Sequence, residues 1–184
     1  MRVISGTAKG HNLFSPPGFE TRPTSDRLRE AVFSSAGERV VGSRFLDLFA
    51  GTGAVGVEAL SRGAEFAVFA DVSRECCEII EKNLRHTKLI NKSEIITLDA
   101  LAAVRKLSGR GRFGAVFLDP PYGSGLIETV LPEMARRGVL EERALVIVEC
   151  SANEKIILPD CYELLKIKNY GRASVMYCEY GGIN

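Results

Sequence analysis

Phe45-Leu-Asp-Leu-Phe-Ala-Gly-Thr-Gly-Ala-Val-Gly56 is an apolar run that carries one carboxylate and then breaks into glycines. Phe45 to Phe49 reads as a buried strand. Gly51, Gly53 and Gly56 then spell G-x-G-x-x-G, a tight turn from strand to helix, and the helix from Ala54 to Ser61 is stopped by Gly63. A Cβ in such a turn would block the close approach of a nucleoside lying over it. Asp71 follows Gly51 by twenty residues, just after a second apolar strand at Phe66 to Ala70. A carboxylate there can hold two ribose hydroxyls.

The same alternation continues outward. Ser73 caps a helix to about His86, Glu94 to Leu98 is a third strand, and Ala100 to Leu107 a further helix. Gly114 to Leu118 and Ala144 to Val148 are strands four and five, with a helix near Leu126 to Arg136 between them. Near-continuous apolar strands separated by helices mean a parallel sheet covered on both faces. Tyr162 to Asn169 and Ser174 to Tyr180, joined at Gly171, finish it as an antiparallel hairpin. Ahead of the first strand, Arg2 to Ser5 and His11 to Phe14 are expected to pair as a small hairpin, followed by the breaker Ser15-Pro-Pro-Gly18. A helix from about 25 to 36, capped by Thr24 or Ser25, then ends before Gly37. The expected organisation is an N-terminal β-hairpin extension over residues 1–20 and a single α/β domain over 21–184.

In an open α/β sheet the ligand sits at the carboxyl ends of the strands. Asp47, Asp71, Asp99 and Asp119 all fall at or near such ends, so four acids should converge on one crevice. Two ligands suit the glycine turn. A dinucleotide pyrophosphate wants a helix N-terminus without nearby acids, whereas Asp47 in the same loop favours a cationic ligand such as the ammonium of S-adenosylmethionine.

Asp119-Pro-Pro-Tyr122 is the sharper signal. Two prolines remove two backbone donors and leave rigid carbonyls that can only accept. An exocyclic base amine is a poor nucleophile because its lone pair is delocalised into the ring. The Asp119 carboxylate and the Pro120 carbonyl, holding both N–H bonds, favour a pyramidal nitrogen ready for methyl attack. Tyr122 offers a face for stacking an extruded base.

Composition narrows the class. The chain has 184 residues, 46% hydrophobic and 26% charged, ordinary values for a packed globular protein. No apolar run approaches the roughly 18 residues that span a bilayer. The start, MRVISGTAKG, lacks the apolar stretch of a secretory signal, so a cytoplasmic protein is expected. Cys76, Cys77, Cys150, Cys161 and Cys178 form no C-x-x-C pair and only two histidines accompany them. Reduced thiols used in packing are expected, with no metal. Net charge is +1, but residues 1–44 hold seven basic against four acidic side chains, and the rest 17 against 19. Arg2, Lys9, Arg22, Arg27 and Arg29 are therefore the expected contacts to RNA phosphates. Arg105, Lys106, Arg110 and Arg112, which precede a strand, should lie opposite the crevice as a solvated patch.

Asp119-Pro-Pro-Tyr122 resembles the catalytic motif of amino-group methyltransferases, and Asp47-Leu-Phe-Ala-Gly-Thr-Gly53 their cofactor motif. Thr21-Arg-Pro-Thr-Ser-Asp-Arg-Leu-Arg-Glu30 is similar to the RsmD type, bacterial 16S ribosomal RNA guanine-N2 methyltransferases. The resemblance covers nearly the whole chain and implies a class I, Rossmann-like methyltransferase fold of seven mostly parallel strands. It implies S-adenosylmethionine as cofactor, held at Asp47, Ala50, Gly51 and Gly53, with Asp71 on the ribose and Asp99 and Ala100 at the adenine. Catalysis would fall to Asp119, Pro120 and Tyr122, and Arg22, Thr24, Arg27, Pro121 and Tyr122 would border the substrate. The implied partner is ribosomal RNA, naked or in an assembling small subunit, met by a monomer. Adenine-N6 methyltransferases share the first two motifs and remain the alternative. A nicotinamide-dependent oxidoreductase and an inactive RNA-binding protein are the rivals from other classes.

Overall fold

The computed structural model describes residues 1–16 and 26–182. The helical pattern begins with α1 (Asp26–Ala36), whose buried positions Leu28, Val32, Phe33 and Ala36 recur at three- and four-residue intervals. Its expected cap, Thr24 or Ser25, lies outside the described residues. A 3₁₀ turn at Gly37–Val40 carries the chain into β1 (Arg44–Leu48). There follow α2 (Ala54–Ser61), β2 (Phe66–Asp71), α3 (Arg74–His86), β3 (Ser93–Thr97) and α4 (Ala100–Leu107). β4 (Phe113–Leu118), α5 (Leu126–Arg136), β5 (Leu140–Ser151), β6 (Tyr162–Tyr170) and β7 (Ala173–Tyr180) complete the described elements.

The sheet has seven strands in the order β3-β2-β1-β4-β5-β7-β6. β1 to β5 pair in parallel, and β7 runs antiparallel to both β5 and β6. This is the doubly wound class the sequence predicts. Strand order reverses between β1 and β4, which opens a crevice at their carboxyl ends. The two faces bury separate apolar layers. Phe45, Ala67, Phe117 and Ile147 pack under the N-terminal segment, α1, α2 and α3, while Leu46, Val68, Leu118 and Val148 pack under α4 and α5. Alternation along each strand sends successive side chains to opposite layers.

β5 is much longer than Ala144 to Val148. β7 pairs with it from Leu145 through Ser151, so ladder bonds carry the strand past the charged Glu149 where the apolar pattern ends. The N-terminal hairpin forms but is short: Arg2 bridges Asn12, Val3 N donates to His11 O and Leu13 N to Met1 O, both at 3.0 Å, and Gly10 N donates to Val3 O at 2.9 Å. Its inner amides go elsewhere. Ile4 and Ser5 donate to the two carboxylate oxygens of Glu58, at 2.8 and 3.0 Å, and Ala8 donates to Ser61 Oγ at 2.9 Å. The segment is bound to α2 as well as to itself, and Val3, Ala8 and Leu13 join the same apolar layer. A Cβ on Gly6 would sit 1.7 Å from the Ser61 carbonyl oxygen, so only glycine permits this approach.

Candidate active site

β1 delivers Asp47 to the floor of the crevice, where it is 1% exposed and its Oδ2 accepts the Gly56 N–H at 2.8 Å. The carboxylate thereby ties the strand end to the first turn of α2. Burial pushes its pKa well up, the charges of Asp119 and Asp71 add to that, and the Gly56 N–H opposes it. Between them the chain makes three left-handed residues, Phe49 (φ 64), Gly51 (φ 53) and Gly53 (φ 73). Phe49 is the costly one, since a side chain in this region is strained by about 1–3 kcal/mol.

The three glycines serve different ends. A Cβ on Gly51 would meet nothing within 4 Å, so this position faces open space and lines the crevice. A Cβ on Gly56 would lie 2.2 Å from the Phe69 ring, so glycine there lets α2 pack on β2. Gly53 does not line the crevice; its positive φ and the nearness of Ile80, 3.0 Å from where a Cβ would stand, tie it to the turn itself.

Asp71 closes the turn from the β2 side. Its Oδ2 accepts from Gly51 N and its Oδ1 from Ser73 N, both at 2.8 Å. Asp99 caps α4, accepting from Ala102 N at 2.9 Å. These three acids organise their own backbone, and each carboxylate oxygen keeps a second lone pair for a ligand donor. Val72, Leu98 and Leu101, none singled out by the sequence, line the space between Asp71 and Ala100 with apolar surface suited to a flat ring. The cavity measures about 1090 Å³ and brings together Asp47, Ala50, Gly51, Asp71, Asp99, Ala100, Asp119, Pro120 and Pro121. That exceeds most small-molecule sites, which span roughly 300–1,000 Å³, and leaves room for a nucleoside and a second reactant.

On the far side, β4 ends at Asp119-Pro-Pro-Tyr122. Pro120 is buried and Pro121 exposed at the cavity wall. Tyr122 lies beyond that wall, half-buried, with its hydroxyl donating to Glu149 Oε1 at 3.4 Å.

Asn83, buried in α3, is a residue that sequence reasoning missed. Its Nδ2 donates to Thr52 O (2.9 Å) and Phe14 O (3.1 Å), and its Oδ1 accepts from Phe14 N (2.7 Å). One amide thus joins the glycine turn to the N-terminal segment just before Ser15, which itself lines the crevice. An asparagine on an amphipathic helix gives no sign of partners 31 and 69 residues away.

The expected substrate residues fare unequally. Arg22 and Thr24 lie outside the described residues, and Arg27 is exposed on α1 and does not line the crevice. Arg29 is not a phosphate contact. It is fully buried, bonded to the Arg2 carbonyl and to Asp26, with its Nε 3.8 Å from Glu58. The N-terminal segment covers the helix face that carries it. Nor does Arg105 lie opposite the crevice: α4 starts at its rim, and Arg105 lines it while bonding to Glu133 at 3.0 Å. Glu133 takes Arg136 and Arg137 as well, and these guanidinium groups hold its pKa down to about 2. The cysteines are free, four of the five buried, and burial raises the thiol pKa values. Among the described residues no helix is long and apolar enough to cross a membrane.

A sheet of this order, with the glycine turn after β1 and acids at its strand ends, defines a class I, Rossmann-like methyltransferase fold. Residues 1–179 match the family described as Conserved hypothetical protein 95, and the chain belongs to that family, the RsmD family. It is 32% identical over 175 residues to ribosomal RNA small subunit methyltransferase D of Haemophilus influenzae, covering 95% of this chain and 91% of that protein. It is 37% identical over 150 residues to the putative rRNA methyltransferase YlbH of Bacillus subtilis, covering 81% and 82%. Among solved structures, the putative methyltransferase yhhF from Escherichia coli superposes with a TM-score of 0.89 at 31% identity, covering 100% of this chain and 99% of that one. The methyltransferase reading therefore stands over the nicotinamide reading.

Proposed function

We propose that this protein transfers a methyl group from S-adenosylmethionine to the N2 amine of a guanine in small-subunit ribosomal RNA, acting as a cytoplasmic monomer on RNA alone or in an assembling particle. The observation that carries the reading is the meeting of Asp119-Pro-Pro with the glycine turn and Asp71 in one cavity. The small-subunit RNA substrate is supported by relatives at 32% and 35% identity named ribosomal RNA small subunit methyltransferase D.

The residues fit such a cofactor. Gly51 leaves open space above the turn, Asp71 faces the cavity as the candidate partner of the ribose hydroxyls, and Val72, Leu98 and Leu101 offer apolar walls beside Asp99 and Ala100 for the adenine. Asp47 supplies a buried carboxylate toward the cationic end. When bound, S-adenosylmethionine supplies an activated sulfonium methyl. The chain's own work is on the acceptor. Asp119 and the Pro120 carbonyl accept the two N–H bonds of the amine, orient its lone pair and offset the positive charge that grows on nitrogen. With no N–H at Pro120 or Pro121, no backbone donor competes with the amine there. Tyr122 borders the base, and the N-terminal segment, residues 1–16, faces the RNA.

Two measurements test the reading. Calorimetry should show binding of S-adenosylhomocysteine and none of NAD; binding of NAD alone would sink it. In a strain lacking the gene, mass spectrometry of small-subunit ribosomal RNA should show loss of one N2-methylguanosine, restored by the gene; loss of N6-methyladenosine instead would move the substrate to adenine.

A further inference from the structure

Glu149 is a fifth carboxylate at the crevice end of the sheet, and the sequence does not single it out. β4 and β5 run in parallel with Leu118, the last residue of β4, opposite Val148, so Asp119 leaves the strand at the level of Glu149. The layers agree. Phe117, Leu145 and Ile147 belong to one apolar layer and Leu118, Val148 and Cys150 to the other, so Asp119 and Glu149 share a face.

Glu149 is 5% exposed, and its Oε1 accepts the Tyr122 hydroxyl. A buried carboxylate is expensive unless hydrogen-bonded, so this position is not an idle solvated acid. The next residue is held too. Gly123 N donates to Glu154 Oε1 at 3.2 Å, and Glu154 Oε2 accepts from Ser151 N at 3.2 Å. The turn from β4 to α5 is thus fastened to the end of β5 at the tip of the Tyr122 ring and at the peptide after it. Around these points the turn has little packing of its own: Gly123 and Gly125 are left-handed, and a Cβ on either would meet nothing within 4 Å. The hydroxyl lies on the axis through Cβ and Cγ, so holding it fixes the first side-chain torsion and the place of the ring, and the preference of a phenol O–H for the ring plane turns that plane toward the Glu149 oxygen.

We infer that Glu149 is a positioning residue for the methyl acceptor, holding the Tyr122 ring in the place against which the target base stacks. The inference rests on the proposed reaction. It requires an acceptor oxygen at residue 149 and a hydroxyl at residue 122, and it does not require a negative charge.

The experiment measures single-turnover methylation of small-subunit RNA at saturating RNA and cofactor, together with S-adenosylhomocysteine affinity, for Glu149→Ala, Glu149→Gln, Tyr122→Phe and the Tyr122→Phe/Glu149→Ala pair. Glu149→Ala and Tyr122→Phe should each slow the chemical step about tenfold with cofactor affinity within about twofold, because misplacement of a reactant costs rate without touching the other ligand. The double variant should be no slower than the slower single one, since both break one bond. Glu149→Gln should keep most of the parent rate. Parent-like rates for Glu149→Ala or Tyr122→Phe, additive losses in the pair, or Glu149→Gln as slow as Glu149→Ala would each overturn the inference. If Glu149→Ala does not fold, Tyr122→Phe and Glu149→Gln decide alone by the same criteria. A parent protein that binds cofactor but leaves every guanine unmodified removes the proposed reaction, and this inference with it, whereas an active parent with unaffected variants removes the inference alone.

Discussion

On the β1–β3 side of the crevice, Asp47, Asp71 and Asp99 each accept a backbone N–H from their own turn: Gly56 for the first, Gly51 and Ser73 for the second, Ala102 for the third. On the β4–β5 side, prolines strip the turn of donors, and the neighbouring acids Glu149 and Glu154 hold a tyrosine hydroxyl and a loop amide. The first half is a cradle braced by its own carboxylates. The second presents acceptors to a group that must bring donors with it. Loss of an acid should therefore cost ligand affinity on one side and reaction rate on the other.

The largest effect is expected from Asp119→Asn. It keeps the shape and one acceptor oxygen but loses the charge, and its amide donors would face the donors of the amine. Single-turnover rate should fall by two or more powers of ten, about 3 kcal/mol, with cofactor affinity changed by less than about 1 kcal/mol. A rate within threefold of the parent would make Asp119 a turn residue. Asp71→Ala should behave oppositely, weakening cofactor binding roughly ten- to a hundredfold, about 1.5–3 kcal/mol, while the rate at saturating cofactor stays near the parent's. If rate falls and affinity holds, the division between the halves is broken.

Gly56→Ala separates packing from ligand contact inside the first half. Its Cβ would collide with Phe69, so thermal unfolding should reveal a loss of about 1–3 kcal/mol. A melting temperature equal to the parent's would mean that α2 can shift away from β2.

The pH dependence of cofactor binding sharpens the contrast more gently. The Asp47 carboxyl is raised by burial, so below its folded pKa it is protonated. A cationic ligand favours the anion and binding releases the proton, so affinity should fall as pH is lowered through that pKa and level off above it. Asp47→Asn should flatten that component. A profile unchanged in the variant would place the cationic end away from Asp47. The smallest effect belongs to Arg2→Gln with Lys9→Gln, which should lower the slope of log K against log salt for RNA by up to about 0.9 per contact and leave the cofactor untouched. Equal slopes would reassign the segment to structure alone.

Most of this division can be read in the sequence because strand ends, glycine turns and proline pairs are local features. Asp47, Asp71, Asp99 and Asp119 follow apolar runs and announce themselves. What is hidden depends on contacts far along the chain. Arg29 looks like a phosphate contact until the N-terminal segment is laid over it, and Asn83 has no local reason to be special. Glu149 ends an apolar run and reads as a strand terminus, because only its register beside Asp119 and the ladder to β7 show that the strand continues. Arg105 misleads for a similar reason: counted back from β4 it belongs at the bottom of the sheet, but counted from the cap at Asp99 it is less than two turns from the rim.

Glu58 and Asn83 bind residues 54 and 69 positions earlier in the chain. During synthesis at roughly 5–20 residues per second, Phe14 is added to the chain about 3–14 s before the amide that will hold it has been made. This segment must thus wait for α2 and α3 before it can dock, and until then Gly6 and its neighbours have no α2 to lie on. Whatever slows that docking delays the step in which the cradle acquires its outer wall, whereas β6 and β7 are neighbouring strands that can close on each other as soon as both are out.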